Sequence, residues 1–240
     1  MADTSILMKE GQTDMIIEIL SEDKSGSYVV SREVNLICGK AGVKAEINVR
    51  PHRGCGSFPK DMDAKPAKFA SSLLDLLPAK CRAYNSVYGG KDLILIVVMD
   101  SDNKDPQTLR SEIYECARHY APDVRSVVGL CTEEIEAWML GDRKALLKAY
   151  PEADVKVLDS YEQDSVCGTW EVLCRAISED YDELVDIGYP AIGHYKAQWA
   201  WEISKYMEPE ANVSPSFTTF KYALETALKD PRPIVRKTSF

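Results

Sequence analysis

Basic residues are in the minority in this 240-residue chain, with 29 Lys and Arg against 38 Asp and Glu and a net charge of −9. Lys and Arg supply most non-specific affinity for nucleic acid by neutralising phosphates, so a self-sufficient nucleic-acid binder is not expected. Histidine is scarcer: His52, His119 and His194 share no ligand spacing and sit in no nucleophile motif, which removes a triad. The cysteines are odd in number, seven, and form no Cys-x-x-Cys pair, which argues against a disulfide framework and structural zinc. No apolar run reaches the ~18 residues of a membrane helix, and Met1-Ala2-Asp3-Thr4 has no basic start, so a cytoplasmic protein without a secretory leader is expected. A Gly-x-x-x-x-Gly-Lys-Ser/Thr phosphate loop is also missing.

What the chain has is a hydrophobic run, Leu93 to Met99, ending in Asp100-Ser101-Asp102. Rich in Ile and Val, it reads as a strand covered on both faces in a parallel sheet. Open α/β sheets bind ligands at the carboxyl edge of their strands, and period-two alternation sends Asp100 and Asp102 the same way if the chain stays extended. Upstream, Ser5 to Asp14 offers a first strand over 5–9 followed by Glu10 and Gly11, the glycine easing a tight turn. Two like charges about 4 Å apart repel by roughly 4 kcal/mol at an effective dielectric near 20. Three acids, Glu10, Asp100 and Asp102, therefore call for a cation, and hard oxygens without Cys or His suit Mg²⁺ or Mn²⁺ and phosphoryl transfer. The competing reading is a solvated turn or helix cap.

The rest of the chain predicts a wound α/β sheet followed by helices. A helix is expected from near Asp14 with Ile16, Ile17, Ile19 and Leu20 on its apolar side. Short strands follow over Val34–Ile37 and Ala45–Val49, as an edge hairpin, then a turn at Arg53-Gly54-Cys55-Gly56-Ser57 and a helix over 63–77. After the central strand come a helix over 106–119, a strand over 124–131, a helix from Glu133, and helices over 165–178, 194–207 and 216–228. The division expected is an α/β domain over 1–150, a helical extension packed on it over 151–230, and a loose tail over 231–240.

Other positions carry two readings each. On a helix starting at Thr132, Glu133 and Glu136 share a side facing the Asp100 edge, as metal ligands or as first-turn acids favoured by the helix dipole; Glu134 is expected in solvent. Asp14 is a helix cap or a metal or water contact. Residues 40–68 are locally basic, and Arg53, Gly54 and Gly56 form either a phosphate pocket or an ordinary loop. Lys196 is an anion contact, or faces water while Trp199 packs on the sheet.

Taken together, Glu10-Gly11-x-Thr13-Asp14 and Asp100-x-Asp102 resemble the TOPRIM superfamily, shared by topoisomerases, primases and OLD-type nucleases. His52-Arg53-Gly54-Cys55-Gly56, Thr132 to Asp142 with its Glu136-x-Trp138, Lys196-Ala197-Gln198-Trp199-Ala200 and Ser214-Pro215-Ser216-Phe217-x-x-Phe220 are similar to an uncharacterised bacterial TOPRIM-like family often encoded beside ATPases. The resemblance implies a TOPRIM-like, mainly parallel sheet and a Mg²⁺ or Mn²⁺ site at Glu10, Asp100, Asp102 and Glu136, with Glu133 as a further ligand and Gly11 and Asp14 in support. A metal-dependent nuclease acting on DNA or RNA in a phage-defence system is the expectation, with a non-catalytic metal-binding regulator as the alternative. An ATPase partner is expected, a homo-oligomer is possible, and Trp199, Trp201, Tyr206, Phe217 and Phe220 offer a contact surface or simply core.

Overall fold

The computed structural model describes residues 15–88, 92–188 and 190–230. The strand expected over 5–9, with Glu10, Gly11 and Asp14, and the tail over 231–240 lie outside them. Within them, β1 (Met15–Ser21), α1 (Lys24–Lys40), β2 (Ala45–Pro51), α2 (Leu73–Tyr88), β3 (Asp92–Asp100), α3 (Pro106–Tyr120) and β4 (Arg125–Cys131) build a four-stranded sheet in the order β2-β1-β3-β4. Every pairing is parallel, and the register aligns the strand ends, Ser21 with Val98 and Asp100 with Cys131. Seven helices follow: α4 (Glu136–Gly141), α5 (Arg143–Ala149), α6 (Val155–Ser160), α7 (Thr169–Ile177), α8 (Tyr181–Ile187), α9 (Ala191–Ser204) and α10 (Pro215–Lys229).

Isoleucines 16, 17 and 19 with Leu20 form a strand, not the first helix. Spacing of i, i+1, i+3 and i+4 fits a helix side, but it equally fits a short β-branched strand covered on both faces. Ile17 and Ile19 pack with α1, while Leu20 packs with α2 and α3 on the other face. The helix then starts at Lys24, where the Asp23 side chain accepts from the Gly26 amide at 2.7 Å. Val34 and Ile37, expected in a hairpin strand, belong to its buried stripe with Val30 and Cys38. Ala45 begins a parallel edge strand instead. The helix expected over 63–77 begins only at Leu73, where Leu73, Leu74 and Leu77 provide the first buried stripe.

One face of the sheet is covered by α2 and α3, the other by α1 together with the helices that follow β4. Trp138 stacks on Phe220, ring centroids 5.1 Å apart, and meets Phe217 edge-on at 5.2 Å. These rings close onto β4 because position 129 is glycine: a Cβ there would stand 2.9 Å from Phe220 Cδ2 and 3.1 Å from Trp138 Cη2. Phe217, Phe220 and Trp199 are therefore core and offer no partner surface, whereas Trp201 and Tyr206 are exposed. Arg125 ties the layers at the opposite edge, pairing with Asp92 and donating to the Ala227 carbonyl at 2.6 Å. Among the described residues, no helix is long and apolar enough to cross a membrane.

Candidate acidic site at the carboxyl edge of the sheet

Neighbouring strands β1 and β3 hand the chain to helices on opposite faces, α1 and α3, which opens a crevice between their carboxyl ends. Acids occupy it from both sides. Glu22 follows β1 directly, its amide donating to the Val98 carbonyl at 3.1 Å, and its Oε2 accepts from the Asp100 amide at 3.2 Å. Glu10 lies outside the described residues, and the acid that β1 brings to the site is thus Glu22, which the sequence reading did not single out. Its signal was present in the sequence, since Ile16 to Ser21 ends in Glu22-Asp23 much as Leu93 to Met99 ends in Asp100.

These carboxyls crowd one another. Asp100 is held well above the usual range, first by burial, then by the charges of Glu22, Glu136 and Asp23, with Lys196 opposing. Glu22 is pushed up to about 7, chiefly by burial, against the hydrogen bond from the Asp100 amide and with repulsion from Asp102 and Asp23. Glu136, the first residue of α4, is fully buried and neither of its oxygens accepts a hydrogen bond. Burial raises it to about 7 against the pull of Lys196, whose Nζ stands 3.5 Å away.

Lys196 does not face water. It is 5% exposed, lies 3.0 Å from Glu134 Oε1 and sits 5.9 Å from the Trp170 ring centre. Glu134 is correspondingly not a solvated acid, since its other oxygen accepts from the Trp170 amide at 3.2 Å. The helix expected from Glu133 starts later. Glu133 has a left-handed φ of 60°, and its carboxylate accepts from the amides of Cys167, Gly168 and Thr169 and from the Thr169 hydroxyl. Burial pushes Glu133 up, but the Thr169 hydroxyl and these amides outweigh it and hold the carboxyl below its usual range. That carboxylate is committed to capping α7. Replacing Glu133 by alanine strips several donors at once and should cost about 2 kcal/mol, read as a lower urea midpoint; a loss under about 0.5 kcal/mol would contradict the capping role.

Asp102 departs from the extended path that would align it with Asp100. The strand stops at Asp100, Ser101 is buried, and its amide donates to the Cys131 carbonyl at 3.0 Å. Asp102 then takes a left-handed φ of 47° and is exposed. It still bears on the site through its repulsion of Glu22. Of the glycines expected in a phosphate pocket, Gly54 has its amide occupied, donating to the Glu22 carbonyl at 3.1 Å, and Gly56 is needed because a Cβ would collide with Ser72 and Asp75. Arg53 is exposed beside them.

Hard carboxylate oxygens in surplus suit Mg²⁺ or Mn²⁺. Among the described residues, no three His, Cys, Asp or Glu side chains converge into a ready-made metal cage. Mg²⁺ commonly takes one or two carboxylates and completes its shell with water and substrate phosphate, a mode that Glu22 and Asp100 fit. What this edge of the sheet does is to be read from Glu22, Asp100, Glu136 and Lys196 themselves, because comparison with family models, curated proteins and solved structures finds no match.

Proposed function

We propose that this protein is a metal-dependent phosphodiesterase that cleaves nucleic acid, a nuclease of TOPRIM type. The observation that supports this most is the crowding of Glu22 and Asp100 at the switch point of a parallel sheet, the side chain of one bonded to the amide of the other. Glu22 and Asp100 would hold Mg²⁺ or Mn²⁺. When bound, such an ion offsets the repulsion between the acids, polarises a phosphate and lowers the pKa of an attacking water. Glu136, buried with both oxygens unbonded, is assigned the uptake of a proton, and Lys196 stabilises its ionised form. Asp102 and Lys104 line the exposed rim, with Lys104 Nζ 3.8 Å from Cys55 Sγ. An ATPase partner in a defence system is part of the same proposal, with the exposed Trp201 and Tyr206 as the surface to probe.

Purified protein, alone and with the neighbouring ATPase, should cut DNA or RNA in Mg²⁺ or Mn²⁺. Asp100→Asn and Glu22→Gln should each lose at least ~100-fold in rate. Cutting by Asp100→Asn at the wild-type rate, or no cutting of any substrate, would sink the proposal. The pairing of Lys196 with both Glu134 and Glu136 favours a second reading, a regulator whose acid cluster is neutralised internally. Calorimetric Mg²⁺ binding that is lost in Asp100→Asn, without any cleavage by the wild type, would select that one.

A further inference from the structure

Between the end of β2 and the start of α2 the chain makes a long excursion whose two ends are stapled beside the acidic crevice. The Arg53 amide donates to the Ser71 carbonyl at 3.0 Å, and the Leu73 and Leu74 amides donate to the Gly54 and Cys55 carbonyls at 3.0 and 2.8 Å. Gly54 in turn is bonded to Glu22. Residues 56–70 thus form an Ω-type loop with its neck at the candidate site. The loop is held in place: Arg82 donates to the Met62 and Ala64 carbonyls at 2.5 and 3.1 Å, and the Tyr120 hydroxyl donates to Asp63 at 2.9 Å.

Its lysines outnumber its acids in a chain that is acidic overall. Phe69 is 86% exposed, the most exposed large hydrophobic side chain among the described residues, and Lys68 Nζ sits 5.6 Å from its ring centre. Arg53, Lys60, Lys65 and Lys68 are exposed, and among the described residues none of them is in an ion pair. The two acids of the loop are engaged internally, Asp61 accepting from the Asp63 and Ala64 amides at 3.0 and 3.2 Å and Asp63 accepting from Tyr120. A cavity of about 390 Å³ between the loop and α2 is lined by Met62, Lys65, Phe69, Asp75 and Arg82 among others.

We propose that this loop binds single-stranded nucleic acid, with Phe69 stacking on a base and Lys60, Lys65 and Lys68 following the backbone toward Glu22 and Asp100. The inference rests on the phosphodiesterase reading and specifies its substrate. An open ring face can stack only on a base that is itself unstacked, and a cationic groove with an aromatic platform is the usual construction for single strands. A base in a duplex is already stacked and paired, and must be extracted before it can stack elsewhere. The net charge of −9 opposes binding of either form, and the denser phosphate array of a duplex more than that of a single strand, so the local lysines have less to overcome with a single strand.

Fluorescence anisotropy on the full chain in EDTA, where metal-dependent cutting is suppressed, tests this with labelled single-stranded DNA, single-stranded RNA and duplex DNA of one mixed sequence. Single strands should bind in preference to the duplex, and Phe69→Ala should weaken them ~10-fold while Phe69→Trp does not. Changing Lys60, Lys65 and Lys68 together to glutamine should reduce the slope of log affinity against log salt by about 2. The DNA and RNA arms tell which single strand is preferred. Wild-type binding by both Phe69→Ala and the triple variant, equal affinity for the duplex, or no binding of any nucleic acid overturns the proposal. Phe69-dependent binding by a protein that never cuts would refute the phosphodiesterase reading alone; cutting whose KM ignores Phe69→Ala would refute the loop's role alone.

Discussion

Replacing Trp138 by alanine is expected to remove about 4 kcal/mol of stability, within the range seen for large buried aromatics. The indole is fully buried between Phe217 and Phe220. Its Nε1 donates to the Ser216 hydroxyl at 2.9 Å, and the carbonyl of the same residue accepts from the Asn212 side chain at 2.8 Å. The space left behind cannot be filled from below, since β4 presents Gly129 there and a glycine has nothing to extend into it. Trp138→Phe keeps most of the volume and should lose about half as much. Urea denaturation followed by circular dichroism measures both, and a loss below about 1 kcal/mol for the alanine variant would show that α10 is held to the sheet by other contacts.

A second substitution should act in the opposite direction. Glu33 on α1 is fully buried, and neither of its oxygens has a hydrogen-bond partner. Burial, then the charges of Asp142 and Glu208, push its carboxyl from 4.5 up to about 8, against the opposing pull of Arg32 and Lys40. Between those two values the folded state binds more protons than the unfolded one, so stability is fullest below about pH 4.5 and falls as pH rises toward 8. A neutral isostere escapes that loss. Glu33→Gln should therefore be more stable than the wild type by about 3 kcal/mol at pH 7, and by less than about 1 kcal/mol at pH 5. Chemical denaturation at the two pH values gives the comparison, and an advantage independent of pH would exclude the ionisation of Glu33 as its source.

The middle of the sheet was legible in the sequence because its signals are local. Leu93 to Met99, rich in Ile and Val, reads best as a doubly covered strand, and the helix over 106–119 and strand over 124–131 fall within a residue or so of α3 and β4. The amino-terminal quarter was not legible in the same way. Ile16, Ile17, Ile19 and Leu20 satisfy two periodicities at once, and taking them as helix hid Glu22 as a strand-end acid. Asp100 was visible as a strand-end acid, but the turn through Ser101 that diverts Asp102 depends on the Cys131 carbonyl and the Glu133 backbone, contacts across strands that no local pattern encodes. The choice between the two readings of Lys196 was out of reach for a related reason: its burial is compensated by Glu134 and Glu136, distant in sequence.

That last pairing imposes an order of assembly on the newly made chain. The four described strands, with Glu22, Asp100 and Glu136, leave the ribosome well before α9 carries Lys196 out behind them. Until that helix docks, Glu136 has to be solvated, protonated or neutralised by something outside the protein. The nascent protein therefore acquires the Lys196 contacts of its finished site only when the helical third has been synthesised and packed.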